Sequence, residues 1–122
     1  MLTVYGGVPI DHQTRELRNG VEFFVGTTGR VLDHIERGNI DFKFIKAVVL
    51  DEADQMLNMG FQEDVEKIMR NILKQVKFQP QFLLFSATIP SWVKDVAKNY
   101  LNKNFKFIDL CKDLKNKTSN TV

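Results

Sequence analysis

The hydrophobic pattern of this chain changes period several times, and each change marks an element. Short β-rich or continuously apolar runs fall at Thr3 to Tyr5, Glu22 to Gly26 (EFFVG), Ala47 to Leu50 (AVVL) and Phe82 to Phe85 (FLLF). AVVL and FLLF lack alternation, which predicts parallel strands buried on both faces. Phe105 to Ile108 predicts a last strand. Between these runs the spacing becomes helical. Asp11 to Arg18 predicts a helix closed by Asn19-Gly20, and Gly29 to Arg37 another, with Val31, Leu32 and Ile35 on one face and Gly38 as its stop. From Gln62 to Val76, the apolar stripe Val65, Ile68, Met69, Ile72, Leu73 and Val76 predicts an amphipathic helix lying on a sheet face. Pro90 precedes a helix capped by Ser91, with Trp92, Val93, Val96, Ala97, Tyr100 and Leu101 turned inward.

Strands alternating with helices give an α/β class with a mainly parallel β-sheet flanked by helices. The 122 residues suffice for one domain and not for two. Composition changes this picture little: 43% hydrophobic and 26% charged residues are ordinary for a globular domain, and ten Phe supply core volume. The net charge of +2 is too small to argue for nucleic acid by bulk electrostatics, so any such contact must come from local geometry. Cys111 is the one cysteine, which excludes an intramolecular disulfide and a cysteine metal site. No run of about 18 apolar residues is present, and MLTVYGGVPIDHQ lacks the layout of a signal peptide. An intracellular soluble chain without a membrane partner is the expectation.

The polar clusters follow the predicted strands directly. Thr27-Thr28-Gly29-Arg30 follows EFFVG, Asp51-Glu52-Ala53-Asp54 follows AVVL, and Ser86-Ala87-Thr88 follows FLLF. Parallel strands deliver all three to one end of the sheet, where such folds bind ligands. One carboxylate there can hold a hydrated Mg²⁺, and its neighbour can orient a water for attack on phosphorus. Acids after a strand also simply begin a helix and favour its positive end. Ser86 and Thr88 equally suit a helix-start hydrogen bond, and Gly6-Gly7 suits a turn.

Together the ordered motifs resemble the DEAD-box ATP-dependent RNA helicases: Gly6-Gly7, TTGR, DEAD after VVL and Ser86-Ala87-Thr88 after LLF. DQMLNMGF and SWVKDVAKNYL are most similar to the nucleolar RNA helicase 2 subgroup. The resemblance implies two RecA-like domains in the parent, with residues 1–110 the later part of the first. Residues 111–122, with Lys112, Lys115 and Lys117, would be a polar tail or the start of an interdomain linker. It implies that Asp51 handles Mg²⁺ through water, that Glu52 activates the attacking water, and that Asp54, Ser86, Ala87 and Thr88 couple ATP state to RNA. It further implies that Gly6, Gly7, Thr27, Gly29 and Arg30 grip the RNA backbone independently of sequence, and that the protein works in the nucleus or nucleolus.

Thr28 stands where the family usually has proline. Thr14-Arg15-Glu16-Leu17 mimics a family RNA motif in the wrong order and is read as coincidence on a surface helix. His12 and His34 have no visible partners and are read as surface residues. None of the seven glycines precedes a lysine, so the phosphate-gripping loop and its strand are missing. The adenine-reading segment and the second RecA-like domain are missing as well. The expected function is therefore that of a helicase fragment, a truncated product or an excised piece, with Mg²⁺ and ATP belonging to the complete parent and neither bound by this chain alone. The alternative is a non-enzymatic RNA- or protein-binding module derived from a helicase domain.

Overall fold

The computed structural model describes residues 1–110, the Leu57 side chain excepted, so the tail expected from Lys112 to Val122 lies outside the described residues. β1 (Leu2–Val4), α1 (Ile10–Asn19), β2 (Phe24–Gly26) and α2 (Thr28–Glu36) form the first half. β3 (Ala47–Leu50), α3 (Ala53–Asn58), α4 (Gln62–Gln75), β4 (Gln81–Leu84) and α5 (Ser91–Tyr100) form the second. Both strand pairs are parallel: Leu2 lies opposite Phe24 and Val4 opposite Gly26, while Ala47 lies opposite Gln81 and Leu50 opposite Leu84.

The α/β class with parallel strands flanked by helices holds, and several local expectations change. The ladder comes as two separate two-stranded sheets, β1–β2 and β3–β4. The halves meet through α2 packed on α4 and through Phe42, whose N–H donates to Gln75 Oε1 at 3.0 Å. AVVL and FLLF are not buried on both faces. Val48, Leu50, Phe82 and Leu84 pack with Val65, Met69, Trp92, Val93 and Val96 of α4 and α5. The pleat sends alternate residues the other way, leaving Val49 52% and Leu83 37% exposed. Phe105 to Ile108 forms no strand, and Phe107 and Ile108 stay exposed.

On α4 the stripe is narrower than expected. Val65, Met69 and Ile72 are buried, whereas Leu73 is exposed because it sits ~80° round the helix from Val65. α5 carries no side-chain cap: Pro90 occupies the capping position and Ser91 is already helical. Trp92, the chain's sole tryptophan, is buried in this second core, with Nε1 unpartnered among the described residues. In the first half Val4, Leu17, Val31 and Phe42 are buried. Gly26 allows this packing, since a Cβ there would run into Val31 Cγ2 and crowd Val4 O at 3.2 Å. On α1, Leu17 is buried and Thr14 half-buried, while Arg15 and Glu16 face solvent, so the TREL stretch spans both faces of its helix.

Candidate functional site

The ends of β3 and β4 are stitched beyond their ladder. Phe85 N donates to Leu50 O at 2.8 Å and Ala53 N to Phe85 O at 3.0 Å, which holds the acidic turn beside the Ser86-Ala87-Thr88 turn. Asp54 is the buried member of the acidic cluster, 5% exposed. Its Oδ2 accepts from Thr88 Oγ1 at 2.9 Å and from Thr88 N at 3.2 Å, while its Oδ1 accepts from Gln55 N. The Asp54 N–H donates to Ser86 Oγ at 3.2 Å, and the Ser86 hydroxyl in turn donates to Thr88 O. The Thr88 hydroxyl bond, aided by the Gln55 and Thr88 amides and by Ser86, holds the Asp54 carboxyl below its ordinary range. Asp54, Ser86 and Thr88 are thus brought together, with Ala87 carried exposed between the last two.

Asp51 and Glu52 project to solvent one step before α3. Asp51 Oδ1 accepts the Glu52 N–H at 2.9 Å. Glu52 has φ +52°, the left-handed region, and is the one non-glycine residue in it among the described residues. That twist makes the sharp turn from β3 into α3. The donor set suits Mg²⁺: a hard, exposed carboxylate with oxygen free is what a hydrated ion needs. No group of three His, Cys, Asp or Glu converges among the described residues, so this turn would offer such an ion few protein ligands, which is how Mg²⁺ is usually held.

A second cluster forms at the same end of β1–β2. Thr27 N donates to Val4 O at 3.0 Å, which fixes the start of α2 beside the Gly6-Gly7 turn. Gly7 has φ +82°, and no atom crowds either glycine. Gly29 is exposed in the first turn of α2. α2 begins at Thr28, the position where proline would fit, and Thr27 makes no side-chain cap. Arg30 does not reach outward. Its Nη1 donates to Gln13 Oε1 at 3.1 Å and its Nη2 to Val8 O at 2.9 Å. Gly6, Gly7, Thr27, Gly29 and Arg30 therefore share one place, while the hydrogen bonds of Thr27 run to Val4 and Val31 and not to the acidic turn.

The surface assignment of His34 is corrected. It is fully buried, and its Nε2 lies 2.9 Å from Gln13 Oε1 and its Nδ1 3.1 Å from Asn39 Nδ2. Burial, then the nearby Arg30 guanidinium, pushes its pKa down. Amide partners gave no recognisable pattern, but the spacing did carry a signal: His34 follows buried Val31 by three residues and so shares its face. His12 is exposed as expected.

Solved structures place this arrangement in a class. The yeast DEAD-box splicing factor Prp28 overlays with a TM-score of 0.79 at 29% identity, covering 84% of this chain and 23% of that one. A hypothetical ATP-dependent RNA helicase from Sulfolobus tokodaii overlays with a TM-score of 0.78 at 36% identity, covering 94% and 33%. The fold is that of the RecA-like domains of DEAD-box helicases. The DEAD/DEAH box helicase family model matches residues 1–96, and the chain belongs to that family. Among curated relatives, DEAD-box ATP-dependent RNA helicase 7 of Arabidopsis thaliana is 50% identical over 98% of this chain and 17% of its own length. Nucleolar RNA helicase 2 of Rattus norvegicus is 44% identical over 97% of this chain and 15% of its own length. The chain thus spans about a sixth of these relatives.

Proposed function

We propose that these 122 residues are a part of an ATP-dependent RNA helicase, contributing its metal-and-water turn and one face of its RNA path. The observation that carries this reading is the direct bonding of Asp54 to Thr88 and Ser86, which joins the acidic turn to a hydroxyl-bearing turn across the strand ends. A family match over residues 1–96 supports it, as do relatives named as ATP-dependent RNA helicases. Asp51 would hold the Mg²⁺ of an ATP complex, which neutralises phosphate charge when bound. Glu52 orients the attacking water and accepts its proton. Asp54, Ser86 and Thr88 transmit the nucleotide state, because a hydroxyl can donate to a carboxylate or release it as partners shift. Gly6, Gly7, Thr27, Gly29 and Arg30 hold RNA by its backbone, through close approach at glycine and unpaired N–H groups at the α2 start.

The phosphate grip on ATP, in this reading, belongs to residues elsewhere in a longer protein, together with a second RecA-like domain. Among curated relatives over this segment, the first group, Nucleolar RNA helicase 2 of Rattus norvegicus and of Mus musculus, is named nucleolar at 44% identity, and one other relative is named mitochondrial at 45%. The nucleolar placement therefore rests on the first alone. The test is Glu52→Gln in the longer protein carrying this segment. ATP binding should persist while RNA-stimulated hydrolysis falls by at least about 100-fold, the scale of a lost general base. RNA-stimulated turnover by the 122-residue chain itself would overturn the division of labour.

A further inference from the structure

A buried imidazole is stable only if both ring nitrogens are paired. At His34 the neighbouring amides fix where its proton lies. Gln13 Nε2 donates to Tyr5 O at 3.1 Å, so Gln13 Oε1 is the atom facing His34 Nε2 and can only accept. The ring proton therefore sits on Nε2. Asn39 Nδ2 then gives one N–H to His34 Nδ1 and the other to Thr14 Oγ1, each at 3.1 Å. The Thr14 hydroxyl donates onward to Ile10 O. Each proton has one place.

The same Gln13 oxygen takes a second bond, from Arg30 Nη1, while Arg30 Nη2 reaches Val8 O. Tyr5 O and Val8 O bracket Gly6 and Gly7, so the glycine turn is tied at both ends to one amide and one guanidinium. Both bonds at Gln13 Oε1 lie on its two lone pairs, and His34 occupies one of them. Without the imidazole, Gln13 is free to rotate and Arg30 loses its anchor.

We infer that His34, acting through Gln13, is a positioning residue that sets Arg30 and the Gly6–Gly7 turn in one arrangement for a sugar–phosphate backbone. This rests on the reading of that face as an RNA path. Arranging the groups in advance spares their ordering when the ligand binds.

The test uses the 122-residue chain, a single-stranded uridine oligomer as probe, and NMR of the Arg30 guanidinium and His34 ring nitrogens. The unaltered chain should show the Nε2–H tautomer and resolved Arg30 Nη–H signals. His34→Leu and Gln13→Met should each collapse those Arg30 signals to an averaged set. RNA affinity should fall roughly 3- to 10-fold, the range of one modest hydrogen bond. Joining His34→Leu to Arg30→Ala should cost no more affinity than Arg30→Ala alone. If His34→Leu does not fold, His34→Phe, which keeps a ring in place but offers Gln13 no nitrogen, takes its place. Resolved Arg30 signals in the folded variants, or additive losses of affinity, overturn the proposal. Collapsed Arg30 signals in the His34 and Gln13 variants, together with unchanged RNA affinity in Arg30→Ala, would instead reject the RNA path, and with it any binding role for His34.

Discussion

Glu52 sets a strained backbone angle beside the carboxylate proposed to orient water. At φ +52° its side chain crowds the following carbonyl, a cost of about 1–2 kcal/mol. Asn tolerates that region better, so Glu52→Asn should raise stability by about 0.5–1 kcal/mol, measured as a higher urea midpoint, while removing the carboxylate proposed to orient water. His34 brings a pH dependence whose sign follows from its depressed pKa. The unfolded chain takes up a proton near the ordinary imidazole value of 6.5, and the folded chain takes it up only at lower pH. Stability should be fully present above 6.5 and decline as pH falls below it, levelling once the folded pKa is passed. Urea midpoints between neutral and mildly acid pH check this, with His34→Leu losing the His34 part of the slope. These two residues also mark what a sequence can disclose. Asp51, Glu52 and Asp54 stood out because acids after an apolar strand are a pattern. The backbone angle of Glu52 and the amide partners of His34 left no such trace, because Gln13 and Asn39 become meaningful only when folding brings them to the ring.

Among elements, the start of α2 carries the departure from the family at Thr28. Its N–H occupies the first helical position, where no intrahelical acceptor exists, and helical φ is already adopted. Thr28→Pro should therefore stabilise the chain by about 0.4–1 kcal/mol, chiefly by restricting the unfolded chain. A thermal melt followed by circular dichroism measures it, and destabilisation would show that the turn rejects the ring. Element positions were legible because hydrophobic period reports which face is covered: β3 matches its expected range, and α1, α2 and α4 differ only at their ends. Three details were not. Leu73 has the right residue type but lies at the margin of the buried stripe. Ser91 is a good capping residue one position too late. Phe105 to Ile108 has strand-like composition, yet composition cannot supply a hydrogen-bonding neighbour, and the described residues provide none.

For the whole molecule, the two clusters sit at the ends of two separate sheets. RNA binding by the chain should be weak, indifferent to base sequence and salt-sensitive, since the proposed contacts go to phosphate and the net charge is only +2. Arg30→Ala should weaken binding equally for unrelated single strands and flatten the dependence of log K on log salt by about 0.7, the single-strand value for one phosphate contact. Filter binding across a salt series tests this, and a strong preference for one sequence would count against backbone recognition. At this scale the sequence disclosed that parallel strands would carry the site. It did not disclose that the ladder would break between β2 and β3, because strand order depends on which edges meet, and no local pattern encodes that.

The placement of Trp92 turns this division into something that can be watched. As the sole indole, buried against α4, β3 and β4, it gives an optical signal confined to the second half of the molecule. In the first half, Tyr5 is partly exposed beside the glycine turn. Loosening around β1 and β2 would leave tryptophan emission unchanged while helical ellipticity fell, and loss of the second core would shift that emission to the red. The molecule thus carries its own reporter of whether the two halves come apart together or in turn.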